Sequence, residues 1–536
     1  MAFEATEVAT APSSHGSAGS GPAKLTGRLA GGRLYFALAL VGLVISAFSL
    51  LIPSTPSYDP WAWIIWGREI VHLNLQTTGG PSWKPLPVIF TTLFAPFGKA
   101  APDMWLVIAR TGALMAVAMT FKLALRLTHR IRAAGEAAER ATGLARLAEL
   151  APGLLAATIA ALGLVSAGGF VSDNALGYSE GLMAAIVLIA IDRHLDGKRR
   201  QAFAVAFAAA LDRPEIWPFW GLYGLYLFWT DPGARKLVIG LFAAIPVLWF
   251  LPELWGSGHF FRGVSRAQHP RSNSPAFASC PFCAELKDHA WPLILLRIKA
   301  AAAFAMVLAA WGLWRVRGRG SGEQPHRHNI AVLALGVLGI AWLVLIAIMT
   351  QAGFSGNNRY LVLGAALICV VGGVGWGWAA QILGGLLSRL GKPAVAAVAT
   401  VAVLVLVFMF VPSWIGASAV DLPATHKSLD YQARLRSDLT TAVAEAGGAA
   451  KLLGCGTVMT EGFQVPMVAW TLGVHTLRIE GPPPGLPRGA PLPPAPNVIL
   501  RARATRHASL LPLLPRNATY ARVASTRTFK IYSTCR

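Results

Sequence analysis

At 536 residues, 54% hydrophobic and 13% charged, with a mean hydropathy of +0.52, the chain is too apolar for an ordinary soluble protein. Its formal charge of +22 invites a nucleic-acid reading, but most Lys and Arg sit in short links between apolar runs. Retention of positive charge on the cytoplasmic side explains that pattern, so nucleic acid is excluded as a partner and the expected partners are membrane lipids.

Taken in order, residues 1–33 are rich in Ala, Ser and Gly near their start and lack the apolar core of a cleavable signal, so they read as a disordered cytoplasmic tail. Residues 34–52 form the first span, and Lys24, Arg28 and Arg33 before it place the N-terminus inside. Residues 54–84 then lie outside. Residues 88–97 are apolar but too short to cross and predict an interfacial or re-entrant helix. Spans follow at 104–126, 151–170 and 181–192, the first of them leading into a basic inner link with Glu136 and Glu139 interleaved, expected as an amphipathic helix. Two shorter segments, 201–211 and 216–230, hinge at Asp212-Arg213-Pro214-Glu215. Further spans are expected at 236–252, 300–314, 329–350, 360–384 and 393–412.

These segments give about eleven crossings, a polytopic α-helical membrane protein of the cell (plasma) membrane with a transmembrane domain over 34–416. Residues 417–536 differ in kind and predict a small extracytoplasmic α/β domain. Helices are expected at 429–446, 465–472 and 507–514, strands at 455–459, 476–479, 498–501 and 524–532, and a proline-rich loop at 482–496.

The strongest chemical candidate is the first outer loop. Asp59 precedes Pro60, which favours a helix start, and a partly desolvated carboxylate there could serve as a general base toward a hydroxyl. The same residues also fit a helix cap with Trp61, Trp63 and Trp83 as an interfacial belt. Glu69 and Lys84 belong to this stretch too. In the second outer loop, Asp173 and Glu180 lie about two helical turns apart and would share a face if helical. They suit a divalent cation or sugar hydroxyls, or a solvated loop with a cap.

Arg213 and Glu215 belong to an ionisable hinge inside an apolar hairpin, where charge is expensive unless paired or facing a wet cavity. Arg110, within a span, invites the same question. Arg359, in Asn358-Arg359-Tyr360, stands at the outer mouth of a span, where its fork of donors could grip a lipid phosphate or simply anchor at the interface. Residues 286–299 read as an amphipathic surface helix. Cys280-Pro281-Phe282-Cys283 favours a local disulfide over a metal site, Cys455 and Cys535 could pair across the C-terminal domain, and Cys369 reads as core.

This arrangement resembles the GT-C membrane glycosyltransferases that use polyprenyl-phosphate-linked sugars. The features that carry it are Asp59 in the first outer loop, an interfacial helix after it, Asp173 and Glu180 in the second loop, Arg359, and a C-terminal extracytoplasmic domain. The first loop has a single Asp followed by Pro rather than the paired acids of many members, and no cofactor is certain; a Mg or Mn ion on Asp59, Asp173 and Glu180 is an open expectation. The resemblance implies an inverting transferase with Asp59 as base. Arg359, Lys84 and Arg213 would bind the donor phosphate, and Glu69, Asp173, Glu180, Glu215, Trp61, Trp63 and Trp83 the sugar or acceptor. The Ala-, Gly- and Arg-rich composition resembles that of high-GC actinobacteria, for which mannose or arabinose is the implied sugar and a cell-envelope glycan or lipid the acceptor. A transporter or flippase of lipid-linked or small solutes is the alternative, because it too needs buried charges and broken helices. A membrane scaffold would leave the charges at 212–215 without a purpose.

Overall fold

In a computed structural model, residues 23–128, 144–270, 274–316, 323–387, 389, 398–405, 421–482 and 494–535 are described. The expectations for residues 1–22 of the tail, most of the inner link after residue 128, most of the span at 393–412 and most of the proline-rich loop fall outside them, while residues 23–33, expected as disordered tail, instead begin the first helix, Ala23–Phe48.

Six segments among the described residues are long and apolar enough to cross a membrane: Gly32–Leu51, Pro85–Thr128, Pro232–Ser257, Leu296–Arg315, Arg327–Gln351 and Asn358–Leu387. The expectation of about eleven crossings therefore rests, for the remainder, on shorter helices. The helices run α1 Ala23–Phe48, α2 Tyr58–Val71, α3 Pro85–Phe94, α4 Ala101–Thr128, α5 Leu144–Val165, α6 Glu180–Leu195, α7 Arg199–Asp212, α8 Trp217–Thr230, α9 Arg235–Ser257, α10 Leu296–Val316, α11 Glu323–Gln351 and α12 Val362–Leu387. Gly98, at φ 55°, breaks the chain between α3 and α4, which leaves α3 as the separate short helix the sequence predicts.

Helix α12 is the buried axis, packed against α5, α10, α11 and α4. Its small residues allow this: a Cβ on Gly375 would collide with the backbone carbonyl of Ala301 in α10. Large apolar side chains such as Phe36, Leu51, Leu222, Trp229 and Val307 remain exposed on the outside of the bundle, as a lipid-facing surface requires.

The C-terminal residues form a six-stranded mixed sheet, with β1 Val458–Thr460, β2 Ile479–Glu480, β3 Val498–Arg503, β4 Leu510–Leu511, β5 Ala521–Ser525 and β6 Phe529–Ser533, in the order β2-β1-β3-β6-β5 with β4 beside β3. Helices α13 Leu422–Glu445, α14 Gly448–Cys455 and α15 Val465–Leu472 accompany it. Several expectations are corrected. The helix expected at 507–514 does not form: Pro512 lacks the donor a helix needs, Leu510 pairs with Arg503, and the Arg501 side chain donates to the Leu510 and Pro512 carbonyls. The single strand at 524–532 is a hairpin, β5 with β6. The strand at 476–479 is a 3₁₀ turn, Thr476–Arg478, followed by β2. The strand expected from residue 455 starts later, because α14 continues to Cys455 and Gly456 turns the chain at φ 132°. The helix expected at 286–299 is interrupted: Ile294 is extended, and α10 begins only after it. Arg110 donates to Ser49, Ser54 and the Ala175 carbonyl and so ties α4 to its neighbours.

Disulfides join Cys280 to Cys283 and Cys455 to Cys535, while Cys369 is a buried free thiol. The C-terminal domain is fastened to α2 and α4. Trp470 packs on Trp61 with ring centroids 6.0 Å apart, Arg68 donates to the Val474 carbonyl at 2.9 Å, and Arg436 pairs with Asp103 at 2.7 Å.

Candidate active site

Four cations and carboxylates remote in sequence meet at helix ends on one side of the bundle. Asp59 occupies the first turn of α2, Lys84 the position before α3, Glu180 the first position of α6, and Arg359 the 3₁₀ turn Asn358–Leu361 before α12. Arg213 joins them from an extended link between α7 and the turn Pro214–Ile216. In each case the chain leaves regular structure beside a proline or a short turn, which lets a polar side chain face inward without breaking a helix.

Arg359 donates to Asp59 Oδ2 at 2.7 Å and lies 3.7 Å from Glu180 Oε1 through its Nε. Its guanidinium stacks 3.9 Å from the Tyr178 ring centroid. Arg213 donates to Glu180 Oε1 at 2.7 Å, grips Glu215 with two donors at 2.8 and 3.3 Å, and stacks on Tyr360 at 3.7 Å. Lys84 Nζ donates to Ser179 Oγ at 3.2 Å and lies 3.6 Å from Glu180 Oε1. One buried carboxylate oxygen thus gathers three cations, while Glu180 Oε2 and Arg359 Nε have no hydrogen-bond partner among the described residues. Charges held this way retain unused donors and acceptors, as a ligand site needs.

Lys84, Arg213, Glu215 and Tyr360 lie on the wall of a cavity of about 230 Å³ whose other walls are mostly apolar, among them Trp217, Trp249, Phe261 and Met349. Asp59 and Arg359 are not on that wall; they connect to it through Glu180 and Tyr360.

Asp173 stands close enough to Arg359 and Glu180 to feel both charges, and its burial pushes its carboxyl up to about 6. Burial also raises the Tyr178 hydroxyl above its ordinary range, although Arg359 works against this. Asp173 and Glu180 do not share a helical face. Residues Phe170–Ala175 form one short helix, Gly177 turns the chain at φ 84°, and α6 starts afresh at Glu180. The loop brings the two carboxylates to the same site by folding back.

The remaining candidates are Glu69 and three tryptophans, of which Trp83 lines the apolar cavity beside Lys84. Glu69 is buried against the C-terminal domain, where His475 Nδ1 sits 2.7 Å from its Oε1 and the Gln76 amide donates to its Oε2 at 2.9 Å. Trp61 packs against Trp470, Trp63 against Trp105, and Trp83 against Trp66 while donating to the Leu248 carbonyl. All three indoles are almost fully buried, and Trp63 backs Lys84 at 5.2 Å. Residues that sequence reasoning leaves out are Tyr178 and Tyr360, which shelve the two arginines. Their signal is adjacency: each sits in the same short motif as a charged candidate.

The carboxylates expected to hold a cation do not fit one. Among the described residues no group of three or more His, Cys, Asp or Glu is gathered for a metal; Asp59 is bonded to Arg359, and Glu180 faces three cations.

No protein-family model matches the chain, and no curated protein matches it. Among solved structures it is similar to ArnT from Cupriavidus metallidurans bound to undecaprenyl phosphate, with a TM-score of 0.49 and 14% identity over 95% of this chain and 98% of that one. The apo state of the same protein gives a TM-score of 0.48 and 15% identity over the same shares.

Proposed function

We infer that the protein is a membrane glycosyltransferase that moves a sugar from a polyprenyl-phosphate donor to a cell-envelope glycan or lipid acceptor at the outer face of the membrane. The observation that carries this reading is the junction of two unlike environments. An apolar cavity suits an isoprenoid chain, and on its wall stand Lys84 and Arg213, joined through Glu180 to Arg359 and Asp59. Lys84 keeps donors beyond its bond to Ser179, and Arg213 has donors beyond the three it spends on Glu180 and Glu215, so both can turn to a phosphate.

In the reaction Asp59 takes the proton of the acceptor hydroxyl, whose oxygen attacks the anomeric carbon from the face opposite the phosphate. The carbon–oxygen bond to the phosphate breaks, its electron pair leaves with the lipid phosphate, and the configuration inverts. Lys84, Arg213 and Arg359 offset the charge that grows on the leaving oxygen. Asp173 and Glu215 orient the sugar and the arginines, and mannose or arabinose is the sugar. The N-terminus is cytoplasmic and the domain at 417–536 stands over the outer face.

The purified full-length protein, supplied with polyprenyl-phosphate mannose and polyprenyl-phosphate arabinose and an envelope glycan, tests this. Asp59→Asn is expected to lower transfer by about 10²–10⁴-fold with an unchanged melting temperature. Transfer at the wild-type rate in that variant would remove Asp59 as the base, and absence of transfer from either donor by the wild type would remove the reading.

A further inference from the structure

The hinge carries two acids in different surroundings. Glu215 is gripped by Arg213, whereas Asp212, the last residue of α7, is fully buried, and neither of its oxygens accepts a well-formed hydrogen bond among the described residues. Local structure gives this carboxylate nothing. It stands at a helix C-terminus, where unpaired carbonyls repel an anion, and the nearby Ala210 carbonyl is already taken by the indole N–H groups of Trp217 and Trp249. A buried carboxylate held at such a position has to be answered by charge from elsewhere in the fold.

That charge comes from Lys84. Among the charged groups acting on Asp212, Lys84 pulls hardest, ahead of the opposing push of Glu180 and the pull of Arg213, and the Ser179 hydroxyl faces the carboxylate as well. Arg213 is spent on other groups: its three hydrogen bonds go to Glu180 and Glu215, and its face lies on Tyr360. Ser179 is fully buried, and its oxygen accepts from Lys84 Nζ at 3.2 Å, which leaves the hydroxyl proton for Asp212. Ammonium, hydroxyl and carboxylate thus form one directed chain, in which each hydrogen bond strengthens the next.

We propose that Asp212 is a positioning residue: through Ser179, its carboxylate fixes the Lys84 ammonium on the wall of the apolar cavity, with an N–H left for the donor phosphate. Lys84 lines that cavity and Asp212 does not, so Asp212 acts through the lysine. The other neighbours of the ammonium cannot fix it alone. Glu180 Oε1, 3.6 Å away, is shared with two arginines, and the Trp63 ring, at 5.2 Å, offers no directed acceptor. The role rests on the proposed reading of the cavity as the donor site. Two rival roles make different predictions: an acid that merely holds the hinge together loses stability when replaced, and a neutral packing group tolerates Asn without effect.

The test uses the full-length protein in nanodiscs, with equilibrium titration of polyprenyl phosphate, transfer kinetics with polyprenyl-phosphate mannose and arabinose, and the melting temperature. Asp212→Asn keeps the shape and removes the charge. It is expected to weaken binding of polyprenyl phosphate about tenfold, to raise the KM for the donor by a similar factor and to change kcat less than KM. The melting temperature should stay level or rise, because a buried charge has been removed. Ser179→Ala cuts the chain with Asp212 in place and should reproduce the loss of affinity. On a Lys84→Met background, whose affinity is already reduced, Asp212→Asn should add nothing. Wild-type affinity in Asp212→Asn or in Ser179→Ala, an undiminished loss on the Lys84→Met background, or a lowered melting temperature with intact affinity per folded molecule would each overturn the proposal. No binding of polyprenyl phosphate to the wild type would end both the positioning role and the transferase reading. Binding that depends on Asp212 without transfer from any donor would sustain the role and end the transferase reading, and transfer with a donor KM indifferent to residue 212 would do the reverse.

Discussion

The molecule buries two clusters of charge at opposite ends of α6, and they are built differently. At the C-terminal end, Asp192 is fully buried and both its oxygens are used: Lys122 donates to Oδ2 at 2.6 Å, the Tyr35 hydroxyl donates to the same oxygen, and Arg126 donates to Oδ1 at 2.8 Å. Asp196 takes Arg126 at 2.7 Å and Arg193 at 2.6 Å. The cavity described above is not walled by these residues. At the N-terminal end, Glu180 collects three cations on one oxygen and leaves the other empty, and two of those cations stand on a cavity wall. Burial of charge is therefore no sign of function by itself. What separates a clamp from a site is whether its central carboxylate keeps an unspent oxygen and its cations reach a cavity wall, since the clamp too leaves one buried donor, Arg193 Nε, without a partner among the described residues.

The largest effects should follow from the cluster at the N-terminal end of α6. Arg359→Gln removes the donor to Asp59, the proposed base, and on that proposal a transfer assay should show a loss of about 10²–10³-fold in kcat. The melting temperature should change little by comparison. A variant that unfolds instead would place Arg359 with the clamps. Asp192→Asn should behave in the opposite way. It strands Lys122 and Arg126 around a neutral amide, and denaturation should report a loss of about 3 kcal/mol while turnover per folded molecule stays near wild type. A catalytic defect at normal stability in Asp192→Asn would erase the distinction drawn between the clusters.

How far this contrast is legible in the sequence depends on the kind of fact. The gathering of Asp59, Lys84, Asp173, Glu180, Arg213, Glu215 and Arg359 is legible, because alternation of spans and basic links puts all of them on one face and burying charge in lipid is costly. Glu69 shows the limit of that logic: it lies on the same face, yet a C-terminal domain whose docking no hydropathy pattern encodes captures it through His475. The tryptophans mislead for a related reason. Composition marks Trp61, Trp63 and Trp83 as interfacial or sugar-facing, but Trp470 and Trp105 cover the first two while Trp83, packed on Trp66, lines the apolar cavity, and tertiary contacts of that range leave no local signal. In the C-terminal domain, Leu510 pairs with β3 at a register set by Arg501 and Pro512, and an apolar period cannot announce it.

The finest distinction between the clusters is their response to pH, and Asp173 is the group that reports it. Burial raises its carboxyl to about 6, against the pull of Arg359. Because the folded value lies above the unfolded one, the fold holds the proton more tightly than the open chain does, so Asp173 costs stability as pH rises from the ordinary carboxylate range through about 6 and favours the fold below it. If the carboxylate orients the sugar, transfer must run the other way, falling as pH drops through about 6. Asp173→Asn should therefore flatten both curves near pH 6, lifting stability slightly at pH 7.5 and cutting transfer there several-fold. A wild-type acid limb that survives Asp173→Asn would assign the titration to another group, and an Asp192→Asn variant, at the other end of α6, should keep that limb, since its carboxylate has no part in it.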